Sequence, residues 1–170
     1  AAAPSRQEGA PIAGPDGLIY PGTCRPEKPC RGPMPNVPLR IDMARALSRV
    51  EDLSYRETGE NPGDISIGRL DRTAGDVALA RPGMGASYHL SIVCDDADQS
   101  ITPVIRGADL SAATGIHVLL QRLLGFPTPI YHHHRLIRDH AGKRPAKLDD
   151  ARSLSTYRDA GPTPAQLPEL

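Results

Sequence analysis

Nine of the chain's 18 prolines fall within its first 40 residues, and prolines and glycines together, 18 and 16 of 170, make up a fifth of the sequence. Proline fixes φ and removes a backbone donor, while glycine has the most conformational freedom to lose on folding. The stretch to about Leu39 includes PIAGPDGLIYPGTCRPEKPCRGPMPNVP, with turn signals at Pro15-Asp16-Gly17 and Pro21-Gly22. It has no sustained helical or alternating period, so it cannot form much regular structure by itself. A core has to come from the residues beyond it, in a chain whose length suits about one domain.

Beyond Leu39 the pattern becomes more regular. Met43, Ala46, Leu47 and Val50 recur at helical spacing and predict a helix from Ile41 to about Val50. A polar stretch from Glu51 to Asp76 follows, broken by Gly59, Pro62, Gly63 and Gly68. Val77 to Ala80 reads as a short strand ended by Arg81-Pro82-Gly83. Tyr88 to Ala97 fits either period: Tyr88, Leu90, Ile92 and Cys94 alternate, yet Leu90, Val93, Cys94 and Ala97 lie at i, i+3, i+4 and i+7. Ile101 to Ile105 is a β-rich run in which Pro103 predicts an edge position or poor pairing on one side. The clearest element is a helix from Ser111 to Leu124. Ile116, Leu119, Leu120, Leu123 and Leu124 form its stripe, Asp109 or Ser111 is placed to cap it, and Gly125 with Pro127 stops it. A β-type segment, Ile130 to Ile137, then precedes a polar turn, a basic loop and a short closing helix from Asp150 to about Ala160. Strands alternating with a helix predict an α/β fold with a parallel unit.

Charge and cysteine content narrow the function. Lys plus Arg equals Asp plus Glu at 20 each, which argues against a DNA-coating protein but leaves RNA open. No apolar run approaches a membrane span and no signal-peptide pattern opens the chain, so the reading is soluble and cytoplasmic, with no membrane partner. Cys24, Cys30 and Cys94 are too few for a disulfide scaffold and lack C-x-x-C spacing. Gly83-Met84-Gly85 lacks the third glycine of a dinucleotide loop, and no phosphate loop, G-x-S-x-G elbow or H-E-x-x-H pair is present.

Four local features carry possible chemistry. From Tyr131 to Arg158 there are seven Lys or Arg against three Asp; Lys143, Arg144 and Lys147 lie in a loop that reads either as a solvated basic face or as a polyphosphate holder. His132, His133 and His134 are adjacent, and neighbours on a strand face opposite ways, so the three cannot meet one ion. Asp95-Asp96 is a cation or acid-base candidate, or an exposed helix or strand end. Tyr20 and Cys24 make at most half of a zinc site.

The segment DVALARPGMGASYHLSIVCDDADQSITPVIRGADLSAATGIHVLLQRLLGFPTPIYHHHRLIRDHAGKRPAK, Asp76 to Lys147, resembles the second half of the catalytic domain of glutamyl-queuosine tRNA(Asp) synthetases, short relatives of glutamyl-tRNA synthetase. The likeness extends over most of Leu39 to Ala165, and YPGTCR at Tyr20 to Arg25 belongs to it. It implies the later part of a class I aminoacyl-tRNA synthetase Rossmann-type catalytic domain with a Pro-rich zinc-insertion remnant. The implied parts are the remnant at 1–38, a connecting insertion with one helix at 39–76, the second Rossmann half with a KMSKS-like loop at 77–150, and a terminal helix and tail at 151–170. It turns the Tyr88 segment into a helix leading to the Ile101 strand. Tyr88 and Arg106 fall on its glutamate-binding positions, Arg144 and Lys147 on its ATP-binding loop with Lys147 catalytic, and Tyr20 and Cys24 on two of four zinc ligands.

The implied partners are L-glutamate, ATP with Mg, and tRNA(Asp) bearing queuosine; zinc is the implied cofactor. A glutamate carboxylate would attack the α-phosphorus of ATP, and queuosine at the wobble position would take the glutamyl group. The family's HIGH motif and its C-x-C zinc pair are absent, which reads as an N-terminally truncated chain that alone shows no glutamate-dependent ATP-pyrophosphate exchange. Pro103 stands where the family has a histidine, and Pro145 where its lysine loop has a leucine. The alternatives are a fragment of a full glutamyl-tRNA synthetase, and a non-catalytic tRNA-binding module or degenerate relic.

Overall fold

Strands β8 (Pro103–Gly107) and β9 (Ile130–His134) run parallel in continuous register, Pro103 opposite Ile130 through Gly107 opposite His134, and the helix α4 (Ser111–Leu124) crosses between them. The α/β reading holds here: strand, helix and parallel strand follow in order. The computed structural model describes residues 12–22, 36–136, 138, 159 and 161. Those up to His134 belong to one compact unit; a second unit, Arg135–Leu170, contributes only five described residues, so the basic loop and all of the expected closing helix but Asp159, which is helical, lie outside what is described.

Helix α4 has the predicted bounds. Gly125 ends it in the left-handed conformation, φ 72°, where its N–H reaches back to the helix carbonyls. Its start differs from expectation. A 3-10 turn, Ala108–Leu110, leads straight in, and the Ser111 hydroxyl donates to Ala108 O instead of capping. Residues 113 to 121 are all buried, so both sides of the helix are covered. On one side Ile116, Leu119 and Leu120 pack with Met43, Ala46, Leu70, Ala74, Val77 and Val93.

That apolar cluster draws in three shorter helices. Helix α1 (Met43–Leu47) is shorter than its periodicity predicts; Asp42 caps it by accepting from Arg45 N–H, and Asp76 Oδ1 accepts from Met43 N–H. Helix α2 (Leu70–Thr73) contributes Leu70, and α3 (Tyr88–Asp98) contributes Val93. The Tyr88 segment is therefore helical, and it turns Val93, with Ile92 beside it, onto the core.

Strand β4 (Ser54–Glu57) and strand β5 (Gly63–Ser66) form an antiparallel hairpin inside the stretch that reads only as polar and broken. β4 joins β9 in parallel, Glu57 opposite Tyr131, and the sheet order is β5-β4-β9-β8. β8 begins two residues after Ile101 and, among the described residues, lies at the sheet edge, the position that Pro103 requires. A second sheet places β6 (Ala78–Arg81) between β3 (Leu39–Arg40) and β7 (Gly85–Ala86), so Gly83-Met84-Gly85 belongs to a hairpin turn. Among the described residues of the Pro-rich opening, the two-residue strands β1 (Ala13–Gly14) and β2 (Gly17–Leu18) form a hairpin turning at Pro15-Asp16.

Candidate active site

The parallel register sets Arg106 on β8 opposite His133 on β9, and the first turns of α4 bring Thr114 and His117 to the same guanidinium. Arg106 Nε donates to His133 Nε2 at 3.1 Å, Nη1 to His117 Nδ1 at 3.0 Å, and Nη2 to Thr114 Oγ1 at 2.6 Å. Its guanidinium also lies over the Tyr131 ring, 5.1 Å from the centroid. An arginine has five N–H groups and no acceptor. Among the described residues the three bonds leave one N–H on each terminal nitrogen of a half-buried side chain, donors of the kind that meet a carboxylate.

His133 is held from behind. Glu57, 5% exposed, accepts at Oε1 from the N–H groups of Thr58, Gly59 and His133, at 3.1, 2.7 and 3.0 Å, while its Oε2 accepts from His133 Nδ1. Burial alone would raise the carboxyl's pKa, but the His133 and Gly59 hydrogen bonds outweigh it and bring the value down to about 2. Gly59 is required by closeness: a Cβ there would collide with the His133 carbonyl oxygen. The strand parity noted for the three histidines is realised, with His133 buried, His132 half-buried and His134 exposed.

A second arm leaves Arg106 on the other side. Because arginine only donates, His117 Nδ1 is an acceptor and the ring proton sits on Nε2. His117 Nε2 lies 2.9 Å from His89 Nδ1, which must then accept, so the His89 proton sits on Nε2, 3.6 Å from Asp16 Oδ1. Burial lowers the pKa of both histidines, to about 3 for His117, where the Arg106 charge adds to the effect; for His89 the Asp16 carboxylate opposes it. Tyr88 stands edge-on to both rings, with centroids 5.7 Å from His89 and 5.9 Å from His117, and is 53% exposed. The exposed phenol and the two available Arg106 N–H groups thus flank one histidine.

A cavity of about 310 Å³ lies at the opposite, amino-terminal end of the parallel pair, lined by Asp96, Thr102, Gln121, Thr128 and Ile130 among others. Burial pushes the Asp96 carboxyl up in pKa, the Arg106 charge opposing and Asp95 adding. Gln121 donates to Tyr131 Oη at 3.0 Å, and Tyr131 stacks on His133.

The model of tRNA synthetases class I (E and Q), catalytic domain, matches residues 55–169. The chain belongs to that family. This synthetase domain is 51% identical to a Glutamyl-Q tRNA(Asp) synthetase of Rhodobacter capsulatus, over 99% of this chain and 61% of the relative. A second protein of that description, from Deinococcus radiodurans, is 36% identical over 88% of this chain and 48% of its own length. The domain thus spans about half to three-fifths of these relatives. Among solved structures, glutamate-tRNA synthetase from Elizabethkingia anophelis aligns with TM-score 0.47 at 24% identity, over 56% of this chain and 19% of that one.

Of the six residues expected to form sites in the synthetase domain, Tyr88 and Arg106 are brought together around His117. Arg144, Lys147 and Cys24 lie outside the described residues. Tyr20 follows β2, and the Arg40 guanidinium sits 4.6 Å above its ring. No group of three His, Cys, Asp or Glu among the described residues is arranged to hold a metal ion. No described helix is long and apolar enough to cross a membrane. Sequence reasoning missed Glu57, His89, Thr114 and His117. Strand parity offered the one signal for His133, since it puts this residue on the same face as Tyr131.

Proposed function

We propose that this chain carries the amino-acid-binding part of an enzyme that activates L-glutamate with ATP and transfers it to queuosine at the wobble position of tRNA(Asp). The observation that carries the reading is the committed geometry of Arg106. Three of its N–H groups are held by His133, His117 and Thr114, and among the described residues one on each terminal nitrogen is left to meet a carboxylate, with the exposed Tyr88 ring edge-on to the same His117. The relatives named above supply the substrate identity.

In the proposed first step, a glutamate carboxylate oxygen attacks the α-phosphorus of ATP, glutamyl-adenylate forms and pyrophosphate leaves. In the second, queuosine takes the glutamyl group and AMP leaves. Arg106 and Tyr88 fix the amino acid, so that orientation rather than acid-base chemistry is their contribution. Arg144 and Lys147 are proposed to neutralise the polyphosphate with Mg, and Tyr20 with Cys24 to supply two zinc ligands, zinc serving to hold the insertion together.

The test is calorimetric titration of the chain with L-glutamate, with D-glutamate and L-glutamine as controls. L-glutamate should bind in preference, and Arg106→Lys, which keeps the charge but loses the planar fork, should weaken it by at least roughly tenfold. Equal binding of all three ligands, or an unaffected Arg106→Lys variant, overturns the assignment.

A further inference from the structure

We infer that Asp16, in the turn of the β1–β2 hairpin, is a positioning residue for the proposed glutamate site and acts on Arg106 through His89 and His117. The inference rests on the glutamate reading for its consequence, but its physical basis is independent.

A neutral imidazole carries one proton and can place it on either nitrogen. Arg106 can only donate, so His117 must accept at Nδ1 and carry its proton at Nε2. His89 Nδ1, 2.9 Å away, must accept that proton's hydrogen bond, which leaves the His89 proton on Nε2. Facing it at 3.6 Å is the carboxylate of Asp16, the partner that favours a proton there. Reversing any one ring would put two N–H groups, or two lone pairs, against each other across a buried contact. The order of protons is therefore set at both ends, by a guanidinium at one and a carboxylate at the other. Both rings are nearly inaccessible, His89 at 5% and His117 at 2% exposed, so water is poorly placed to substitute for a lost partner. Arg81 Nη2, 3.9 Å from Asp16 Oδ2, helps hold the carboxylate in place from the neighbouring hairpin.

What this arm does for the site follows from geometry. His133, backed by Glu57, holds one side of the Arg106 guanidinium, and His117 holds the other. With both in place the two remaining N–H groups point in a fixed direction. With His117 in the other tautomer its Nδ1–H repels Nη1, and the fork swings.

The experiment uses the full chain with ¹⁵N-labelled histidine, read by two-bond ¹H–¹⁵N correlation, beside glutamate titration. In the wild type, His89 and His117 should both show protonated Nε2 and bare Nδ1. Asp16→Ala, an exposed change whose amide spectrum reports that the fold is kept, should shift His89 and then His117 toward mixed tautomers and weaken glutamate by roughly tenfold. His89→Phe, which removes the acceptor but retains a ring, should disturb His117 in the same way. If Asp16→Ala leaves the His117 signals at their wild-type positions, the relay is overturned whatever glutamate does. If the tautomers shift as expected but the wild-type chain binds no glutamate, the relay stands and the glutamate reading falls.

Discussion

Helix α4 buries two unlike surfaces. One, through Ile116, Leu119 and Leu120, meets the apolar cluster of α1, α2 and α3. The other, through Thr114, His117 and Gln121, meets Arg106, His89 and Tyr131. The first surface is held by non-directional burial, which tolerates volume-conserving exchange. The second is held by bonds whose donors and acceptors cannot be permuted. Stability and geometric definition are thus carried on opposite sides of the same 14 residues, and a substitution can affect either without the other.

The largest effect should come from the polar side, where loss of one partner strands several others. Glu57→Ala takes the acceptor from the His133 ring and from the Gly59 and His133 N–H groups, while Thr58 N–H keeps the Tyr131 carbonyl, and should cost about 3–5 kcal/mol in urea unfolding. A cost below that of an ordinary surface change would show that water replaces the carboxylate freely.

On the apolar side, Leu119→Ala should cost about 3 kcal/mol while leaving the glutamate affinity of the folded fraction within about twofold. A large loss of affinity here would break the division between the two surfaces.

Acid separates the surfaces further. His117 has a folded pKa of about 3 against 6.5 when free, so between those values the unfolded chain binds more protons than the folded one. Stability from this group is complete above about pH 6.5 and declines as the pH falls toward 3. Glu57, lowered from 4.5 to about 2, adds a decline across that lower window. His117→Gln should flatten the upper part of the stability-pH curve and keep the lower part; an unchanged curve would mean that the imidazole is protonated in the folded chain.

The smallest effect belongs to Gln121→Met. It gives up the bond to Tyr131 but also removes a buried Oε1 that has no partner among the described residues, so the net change should stay under about 1.5 kcal/mol. A loss of several kcal/mol in thermal or urea unfolding would show that Oε1 is satisfied in solution.

How legible each surface is in the sequence follows from the same contrast. The apolar stripe repeats at 3.6 residues, and with Gly125 behind it α4 is read correctly to its ends. The polar surface has no period to betray it. Glu57 sits 76 residues from His133 in a stretch that looks merely hydrophilic, and Asp16 lies inside the proline-rich opening. The β4–β5 hairpin escapes for the same reason, since Ser54, Arg56 and Glu57 show little of the hydrophobic alternation by which strands are found. Arg106 and Tyr88 are legible only through family likeness, which supplies positions but not the histidines between them.

Pro103 has a further consequence. The Thr102 carbonyl accepts from Ile130 N–H and so points toward β9, which turns the next residue's backbone groups outward. The N–H that proline lacks is therefore missing from what is, among the described residues, the margin of the sheet, and not from the ladder. A margin that also exposes Ile105, 69% accessible, would otherwise offer neighbouring chains a template for edge-to-edge pairing. Proline at this position denies a neighbouring strand one donor along the described edge.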